Sequence, residues 1–346
     1  MEKIVIASMR RDAGKTSLIT GMARALGRSI GYMKPLGDRL LYRKKRLWDH
    51  DSALVTGLFN PTTDPQFLNI GFDHAKLRYM YTEASTRDKL RQAAEQIGAG
   101  KDLLFVESGR DLAYGISVNL DPVFVADSIG ARVLLVISGD ENVVLDDIIL
   151  AKKYLDTTAV ELNGVLINKL PDVESFKDIY LEQVQSMGVK VLGMIPHQAE
   201  LTYFSLHFLA DQLLAKVVAG EAGLKRLARN VLVGAMSVDA VLRNPVMNRE
   251  DILMITSGDR TDMILAALES DTVGMVLTNN ILPPPNILAK ASERGIPLLL
   301  VPGDTYATAK QIDDMQPLLT ADDADRIALL AQLAQTHINL EEIIPA

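Results

Sequence analysis

The residues with the most evident chemical capacity are Gly14-Lys15-Thr16, which follow the polar run Ser8-Met9-Arg10-Arg11-Asp12-Ala13 and the apolar run Ile4 to Ala7. Strand, loop and helix start in that order are what a phosphate-binding loop requires. Backbone N–H groups and the helix N-terminus hold anionic oxygens, a lysine reaches the outer phosphates as a point charge, and a hydroxyl meets a magnesium ion. Asp12, Ala13, Gly14, Lys15, Thr16 and Ser17 are therefore the expected nucleotide-binding residues. Lys15 is also a catalytic candidate and Thr16 a metal ligand. The loop departs from the usual pattern, whose first glycine falls at Met9, or at Ser8 if the loop is one residue longer.

Further candidates follow along the chain. Lys34 ends an apolar run from Ser29 to Met33, and Pro35 keeps it extended. At the carboxyl end of a parallel strand a lysine points into the ligand crevice of an open α/β sheet; a solvated surface lysine is the alternative. Arg39, Arg43, Lys44, Lys45 and Arg46 crowd one short stretch, which reads as a solvated loop or short hairpin in preference to an anion patch. In Trp48-Asp49-His50-Asp51 one carboxylate could ligate a metal or simply complement the dipole of the helix that follows. His50 has no second histidine at ligand spacing. Glu107 closes the apolar run Leu103 to Val106 ahead of Ser108-Gly109, the expected place for a second magnesium contact. Asn168 ends the run Val160 to Asn168, where its amide could read an adenine edge or serve as a turn residue.

These groups need a scaffold that brings distant positions together, and the pattern supplies one. Strand-like and helix-like segments alternate up to about Val218, with helices expected at Lys15–Leu26, Thr86–Gly98, Asp146–Tyr154, Val173–Met187 and Leu201–Val218. That is a doubly wound α/β domain with a mostly parallel sheet. Ser8 to Thr16, Lys34, Glu107, Asn168 and Pro196 all fall at strand carboxyl ends, a convergence that scatter would not produce. Residues 60–80 read as an irregular insert, and 219–230 as a polar linker. From 231 to 346 the alternation restarts on a smaller scale, with strands near Val231–Met236, Ile252–Thr256, Val273–Leu277 and Pro297–Val301, and a closing helix at Ala321–Gln335. The turn Thr256 to Thr261 there is explained as well by a helix cap as by a ligand site.

Composition narrows the function classes. Of 346 residues 48% are hydrophobic but only 5% aromatic, so two aliphatic cores can be buried. A net charge of -8 argues against nucleic-acid partners. With no cysteine, disulfides, thiolate metal sites and a cysteine nucleophile are excluded. No apolar run reaches the roughly 18–20 residues that span a bilayer, and no signal peptide precedes the first strand. A cytoplasmic protein without a membrane partner is expected.

Taken in order, Ala13-Gly14-Lys15-Thr16, Gly31-Tyr32-Met33-Lys34-Pro35-Leu36, Asp49-His50-Asp51-Ser52-Ala53-Leu54, Val106-Glu107-Ser108-Gly109, Gly164 to Lys169 and Leu192 to Pro196 resemble dethiobiotin synthetase and its P-loop relatives. The second domain resembles the DRTGG domain, whose turn here reads Asp259-Arg260-Thr261-Asp262-Met263. Together they are similar to the N-terminal region of long bacterial phosphotransacetylases. The resemblance implies ATP and magnesium as cofactors. It places Lys15 and Thr16 on phosphates and metal, Asp51 and Glu107 in the magnesium shell, Lys34 on the transferred phosphoryl or the substrate's oxygens, and Asn168 at adenine. It implies a magnesium-dependent nucleotide-binding protein of regulatory type. The alternative is an ATP-dependent ligase that activates a carboxylate or carbamate. Met9-Arg10-Arg11 stand where dethiobiotin synthetase carries small and acidic residues that touch substrate, which argues against diaminopelargonate. No acyltransferase domain follows Ala346, so phosphotransacetylase activity is not expected of these residues. The expected partners are the nucleotide, a second copy of the chain held through the second domain, and a separate acyltransferase-type enzyme.

Overall fold

The computed structural model describes residues 1–43, 46–243 and 245–344, so Lys44 and Lys45 of the basic stretch lie outside the described residues. The chain forms two units, residues 1–198 with 324–346, and residues 199–323.

The first unit runs β1 (Glu2–Ser8), α1 (Lys15–Leu26), β2 (Ile30–Met33), β3 (Leu40–Arg43), β4 (Arg46–Asp49), α2 (His50–Phe59), α3 (His74–Met80) and α4 (Glu83–Gly98). It continues through β5 (Leu103–Glu107), α5 (Pro122–Ile129), β6 (Arg132–Ser138), α6 (Glu141–Leu155), β7 (Leu162–Leu170), α7 (Val173–Ser186) and β8 (Val191–Pro196). Six strands make one parallel sheet in the order β2-β5-β1-β6-β7-β8. Ile4 to Ile6, Leu103 to Val106, Val133 to Val136 and Val165 to Ile167 have no exposed surface, as strands covered by helices on both faces require. The chain leaves β1 toward β2 on one side and later returns to β6 on the other. The crevice at the carboxyl end of β1 is therefore a topological switch point, where ligands of such sheets bind.

Local chemistry sets the helix starts. Asp49, Asp121, Asp140 and Asp172 cap α2, α5, α6 and α7, each accepting a backbone N–H from the first turn. Pro122 stands in the first turn of α5, a helix the sequence pattern did not separate from its surroundings. Within the basic stretch β3 and β4 pair antiparallel, with Leu41 opposite Trp48 and Tyr42 opposite Leu47. The insert at 60–80 holds a 3-10 turn at Pro65–Leu68 and the helix α3.

The second unit comprises β9 (Phe204–Ser205), α8 (Leu206–Gln212), β10 (Lys216–Ala219), β11 (Leu227–Ala228), β12 (Asn230–Val233) and α9 (Val238–Leu242). β13 (Ile252–Ser257), α10 (Thr261–Leu268), β14 (Thr272–Thr278), α11 (Pro285–Glu293), β15 (Leu298–Leu300) and α12 (Thr305–Asp313) complete it. Its sheet has the order β10-β15-β14-β13-β12, parallel except for β10. Two expectations fail here. The helix expected over Leu201–Val218 stops at Leu213, because Leu214 turns left-handed (φ 50) and Lys216 to Ala219 pair with β15. The linker expected over 219–230 is packed structure, since Gly220 and Gly223 bring their backbones against the carbonyls of Ile296 and Gly295. Glycines needed for close approach read, in sequence, like a loop.

A third correction concerns the domain boundary. α13 (Ala324–His337) and α14 (Leu340–Ile343) belong to the first unit, not to the second domain where the sequence pattern puts the closing helix. α13 packs on α1 so closely that a Cβ on Gly21 would stand 2.5 Å from the Leu330 carbonyl oxygen. Asn339 N–H then donates to Leu192 O at 2.8 Å, covering the edge of β8. The Ile343 carbonyl accepts from Arg132 Nη2 and Asn163 Nδ2, each at 3.4 Å. Along the chain, the second unit is thus an insertion into the first.

Candidate functional site

The phosphate loop joins β1 to α1. Gly14 caps α1 with φ 97, a left-handed conformation in which a Cβ would also lie 2.3 Å from Asn168 Nδ2. No side chain caps α1 and no acidic residue stands in its first turn. The positive end of the helix dipole is therefore left to a ligand's anionic oxygens. Asn168 braces the loop by donating from Nδ2 to Ala13 O at 2.8 Å. Lys169, exposed, donates to Asp12 O at 2.7 Å. The amide donor placed by sequence at an adenine edge is thus spent on the loop, and the carbonyl of Asn168 is the half left for a base.

Lys15 is buried and donates to Ser8 Oγ at 2.7 Å and Arg110 O at 3.3 Å. Burial lowers its pKa, which Glu107 partly offsets. Ser8, which stands at the first-glycine position of a loop one residue longer than usual, is therefore the resting partner of the loop lysine. Thr16 donates to Glu107 Oε1 at 2.8 Å, and Tyr32 donates to Glu107 Oε2 at 2.9 Å. Burial, then the negative charge of Asp51, pushes the Glu107 carboxyl up to about 7. Ser17 lies half-buried in the first turn of α1.

Lys34 has three carboxylates around its ammonium: Asp51 Oδ2 at 2.5 Å, Asp38 Oδ1 at 2.5 Å and Asp49 Oδ2 at 3.4 Å. Burial opposes the charge, but Asp51, Glu107, Asp49 and Asp38 together raise the Lys34 pKa well above the ordinary value. Asp51, also against burial, is held well below the carboxylate range by Lys34, His50 and Arg39. Asp49 has the opposite fate, its pKa raised chiefly by burial. Its Oδ2 accepts from the N–H groups of Asp38 and Arg39, both at 3.1 Å. Arg39 donates to Asp12 Oδ1 at 2.6 Å and to Asp51 Oδ1 at 3.2 Å.

The structure thus brings Asp12 through Ser17, Lys34, Asp51, Glu107 and Asn168 to one end of one sheet. Sequence reasoning missed Tyr32, Asp38 and Arg39 as members, and of the two carboxylates Asp49 and Asp51 it kept only Asp51. For Tyr32 the signal was available, because it stands two residues before Lys34 on an extended run and so shares its face. A separate cavity of about 760 Å³ opens at the amino ends of β6, β7 and β8. Of its charged groups, Arg132 pairs with Glu2 at 3.2 Å, Lys152 with Asp156 at 2.9 Å, and Lys190 with Glu342.

An uncapped left-handed glycine, a loop lysine and a threonine set against a strand-end carboxylate on a parallel sheet define a P-loop protein. The chain belongs to the AAA domain family, which it matches over residues 2–204, and residues 208–315 match the DRTGG domain. It is similar to the phosphate acetyltransferase of Pseudomonas putida, at 26% identity over 98% of this chain and 51% of that protein. Its similarity to the phosphate acetyltransferase of Nitrosomonas europaea is 25% identity over 99% and 51%. The chain spans about half the length of the curated relatives it matches. Among solved structures, a ParA family ATPase from Chlorobium tepidum aligns at 13% identity with a TM-score of 0.38, over 58% of this chain and 86% of that one. Among the described residues no helix is long and apolar enough to cross a membrane.

Proposed function

We propose that the first unit binds ATP with magnesium and that this binding regulates an acyl-transfer activity. The carrying observation is the convergence of Lys15, Thr16, Glu107 and Asp51 on the uncapped start of α1. The donors fit the ion: one hydroxyl and two carboxylates, all oxygen, suit magnesium better than a softer metal. Glu107 adds an argument of its own. A buried carboxyl pushed up to about 7 beside another carboxylate gains from a nearby cation. Thr16, Glu107 and Asp51 would hold the ion, which neutralises phosphate charge when bound. Lys15 would leave Ser8 for the outer phosphates, and the Asn168 carbonyl would face the adenine amine.

Lys34 separates this reading from that of a carboxylate- or carbamate-activating ligase. Its ammonium is committed to Asp38, Asp49 and Asp51, so it holds Asp51 in place and offers an acceptor substrate no free cation. The relatives carry the name phosphate acetyltransferase at about twice this length, which supports an acyltransferase-type protein as the carrier of the regulated activity. Self-association through the second unit and a cytoplasmic location, where ATP is abundant, complete the reading; sedimentation of the whole chain as a strict monomer would remove the former. The test of the core claim is thermal unfolding with and without magnesium–ATP. Ligand at about 100 times its Kd stabilises by about 2.7 kcal/mol. Wild type should therefore melt several degrees higher and Lys15→Ala should not. An unchanged melting curve for wild type refutes nucleotide binding.

A further inference from the structure

Arg39 stands at the root of the β3–β4 hairpin and ties it to the candidate site. Its Nη2 donates to Asp12 of the phosphate loop at 2.6 Å, and its Nη1 reaches Asp51 Oδ1 at 3.2 Å and Oδ2 at 3.5 Å. Its own backbone N–H donates to Asp49, and its carbonyl accepts from His50 N–H at 2.8 Å. One guanidinium therefore bridges the loop, the hairpin root and the first turn of α2. The two oxygens of Asp51 are not equally available. Oδ2 is held by Lys34 at 2.5 Å, while Oδ1 has Arg39 as its nearer partner and His50 Nδ1 at 3.7 Å. If Asp51 ligates a cation, Oδ1 is the oxygen it can give, and giving it parts Arg39 from Asp51.

The hairpin is built to respond. Leu40, Tyr42 and Leu47 on its outer face are exposed and bury little apolar surface. Among the contacts that hold it are the half-buried inner pair Leu41 and Trp48, a surface ion pair from Arg46 to Asp64 at 3.0 Å, and the ionic ties at its root. Segments with few buried apolar contacts open at low cost. We propose that Arg39 is a latch that magnesium–nucleotide opens: occupation of the loop takes Asp51 Oδ1 from Arg39, and the β3–β4 hairpin shifts in consequence. The latch is an autoinhibitory contact as well as a transmitter, because Arg39 and the cation compete for one oxygen. This rests on the nucleotide reading above and adds to it a route by which the site changes the protein's surface.

The reporter is already in place. Trp48 is the sole tryptophan of the chain and lies on β4 beside Asp49, with its indole Nε1 buried and without a hydrogen-bond partner. Magnesium is titrated into the full chain at fixed ATP, with binding followed by calorimetry and the hairpin by Trp48 emission. In wild type the emission should change in step with binding. Arg39→Ala should resemble the bound wild type before any ligand is added, and should need about fivefold less magnesium, the fold-change for an ion pair with one partner reached by solvent. Arg39→Lys keeps the charge but cannot span both carboxylates, so it should move the same way and carries the test if the alanine variant does not fold. Binding by calorimetry with silent Trp48 emission, or an unchanged or higher magnesium requirement in the variants, overturns the latch and leaves the nucleotide reading standing. No binding to wild type or either variant overturns both. Binding to the variants but not to wild type also overturns the latch, since the nucleotide then does not open it.

Discussion

Replacing Gly21 by alanine tests whether α13 closes on the phosphate-loop helix. On an isolated helix the change is favourable, by about 0.8–1.0 kcal/mol, because glycine loses the most backbone freedom. Here the new Cβ would sit 2.5 Å from Leu330 O, 3.0 Å from Leu330 C and 3.3 Å from Leu330 Cβ. The first two are backbone atoms of α13, so no rotamer change relieves them and the helices must part by about 1 Å. Overpacking of this kind costs roughly 1–3 kcal/mol, more where backbone must move. The sum is a net destabilisation of up to about 2 kcal/mol. Gly57 in α2 is the control, being exposed with nothing within 4 Å of a built Cβ, so Gly57→Ala should stabilise. Urea unfolding followed by Trp48 emission reads the first unit alone, since the chain has one tryptophan. The two variants should move the midpoint in opposite directions. If Gly21→Ala raises it as Gly57→Ala does, α13 does not lie against α1, and the assignment of residues 324–346 to the first unit is wrong.

Two further outcomes follow from the charges. Lys34→Met leaves Asp38, Asp49 and Asp51 facing one another without their cation, and should cost roughly 3–5 kcal/mol by the same unfolding assay; a loss under about 1 kcal/mol would show that the three carboxylates do not depend on it. Glu107 has an ordinary value of 4.5 and is pushed up to about 7 in the fold, so between those values the folded chain holds the extra proton. Its contribution to stability therefore falls as pH rises from about 4.5 to about 7 and is level above. In chelator, Glu107→Gln should gain on wild type between pH 5.5 and pH 8, and a constant gap between the two would remove the claim that burial strains this carboxyl.

The sheet and its ligand end were legible because both are written locally. Ile4 to Ile6, Leu103 to Val106 and Val165 to Ile167 are continuous apolar runs, as strands buried on both faces must be. Gly14-Lys15-Thr16 and Glu107 sit at the ends of such runs, so strand polarity alone brings them together. What was not legible depends on side chains meeting across the fold. Arg39 lies among basic residues that look solvated, and only the return of β4 beside β3 puts Asp49 and Asp51 within its reach. The closing helix failed for a related reason. The pattern of α13 says which face is apolar but not which unit supplies the other half of the interface, and Gly21, its counterpart on α1, reads as an unremarkable helix residue. The misplaced linker shows the same limit, since Gly220 and Gly223 mark close backbone approach and not freedom.

The buried charges also bear on why the loop tolerates the loss of its first glycine. With the Arg10–Asp147 pair set aside, the groups around the loop, the hairpin root and Glu107 that are not exposed are Asp12, Asp38, Asp49, Asp51 and Glu107 against Lys15, Lys34 and Arg39. Such a network seldom adds stability over apolar packing of the same volume, because desolvation consumes most of the attraction. Its acids outnumber its bases by two, and burial takes up part of the excess within the protein by holding a proton on Glu107 near neutrality; it shifts the Asp49 pKa in the same direction. A divalent cation carries the charge that would balance the same excess while Glu107 stays ionised. Ser8 fits this scheme better than glycine would. Its hydroxyl accepts from Lys15 and donates to Arg10 O at 2.8 Å, holding the loop lysine beside the acids until a polyphosphate competes for it. Ser8→Gly should therefore leave Lys15 without its resting partner and weaken the protein in the absence of ligand by about 1 kcal/mol, with a smaller loss once magnesium–ATP is bound. Equal losses with and without ligand would mean that Lys15 never leaves Ser8, and that the loop does not take phosphate in the manner proposed.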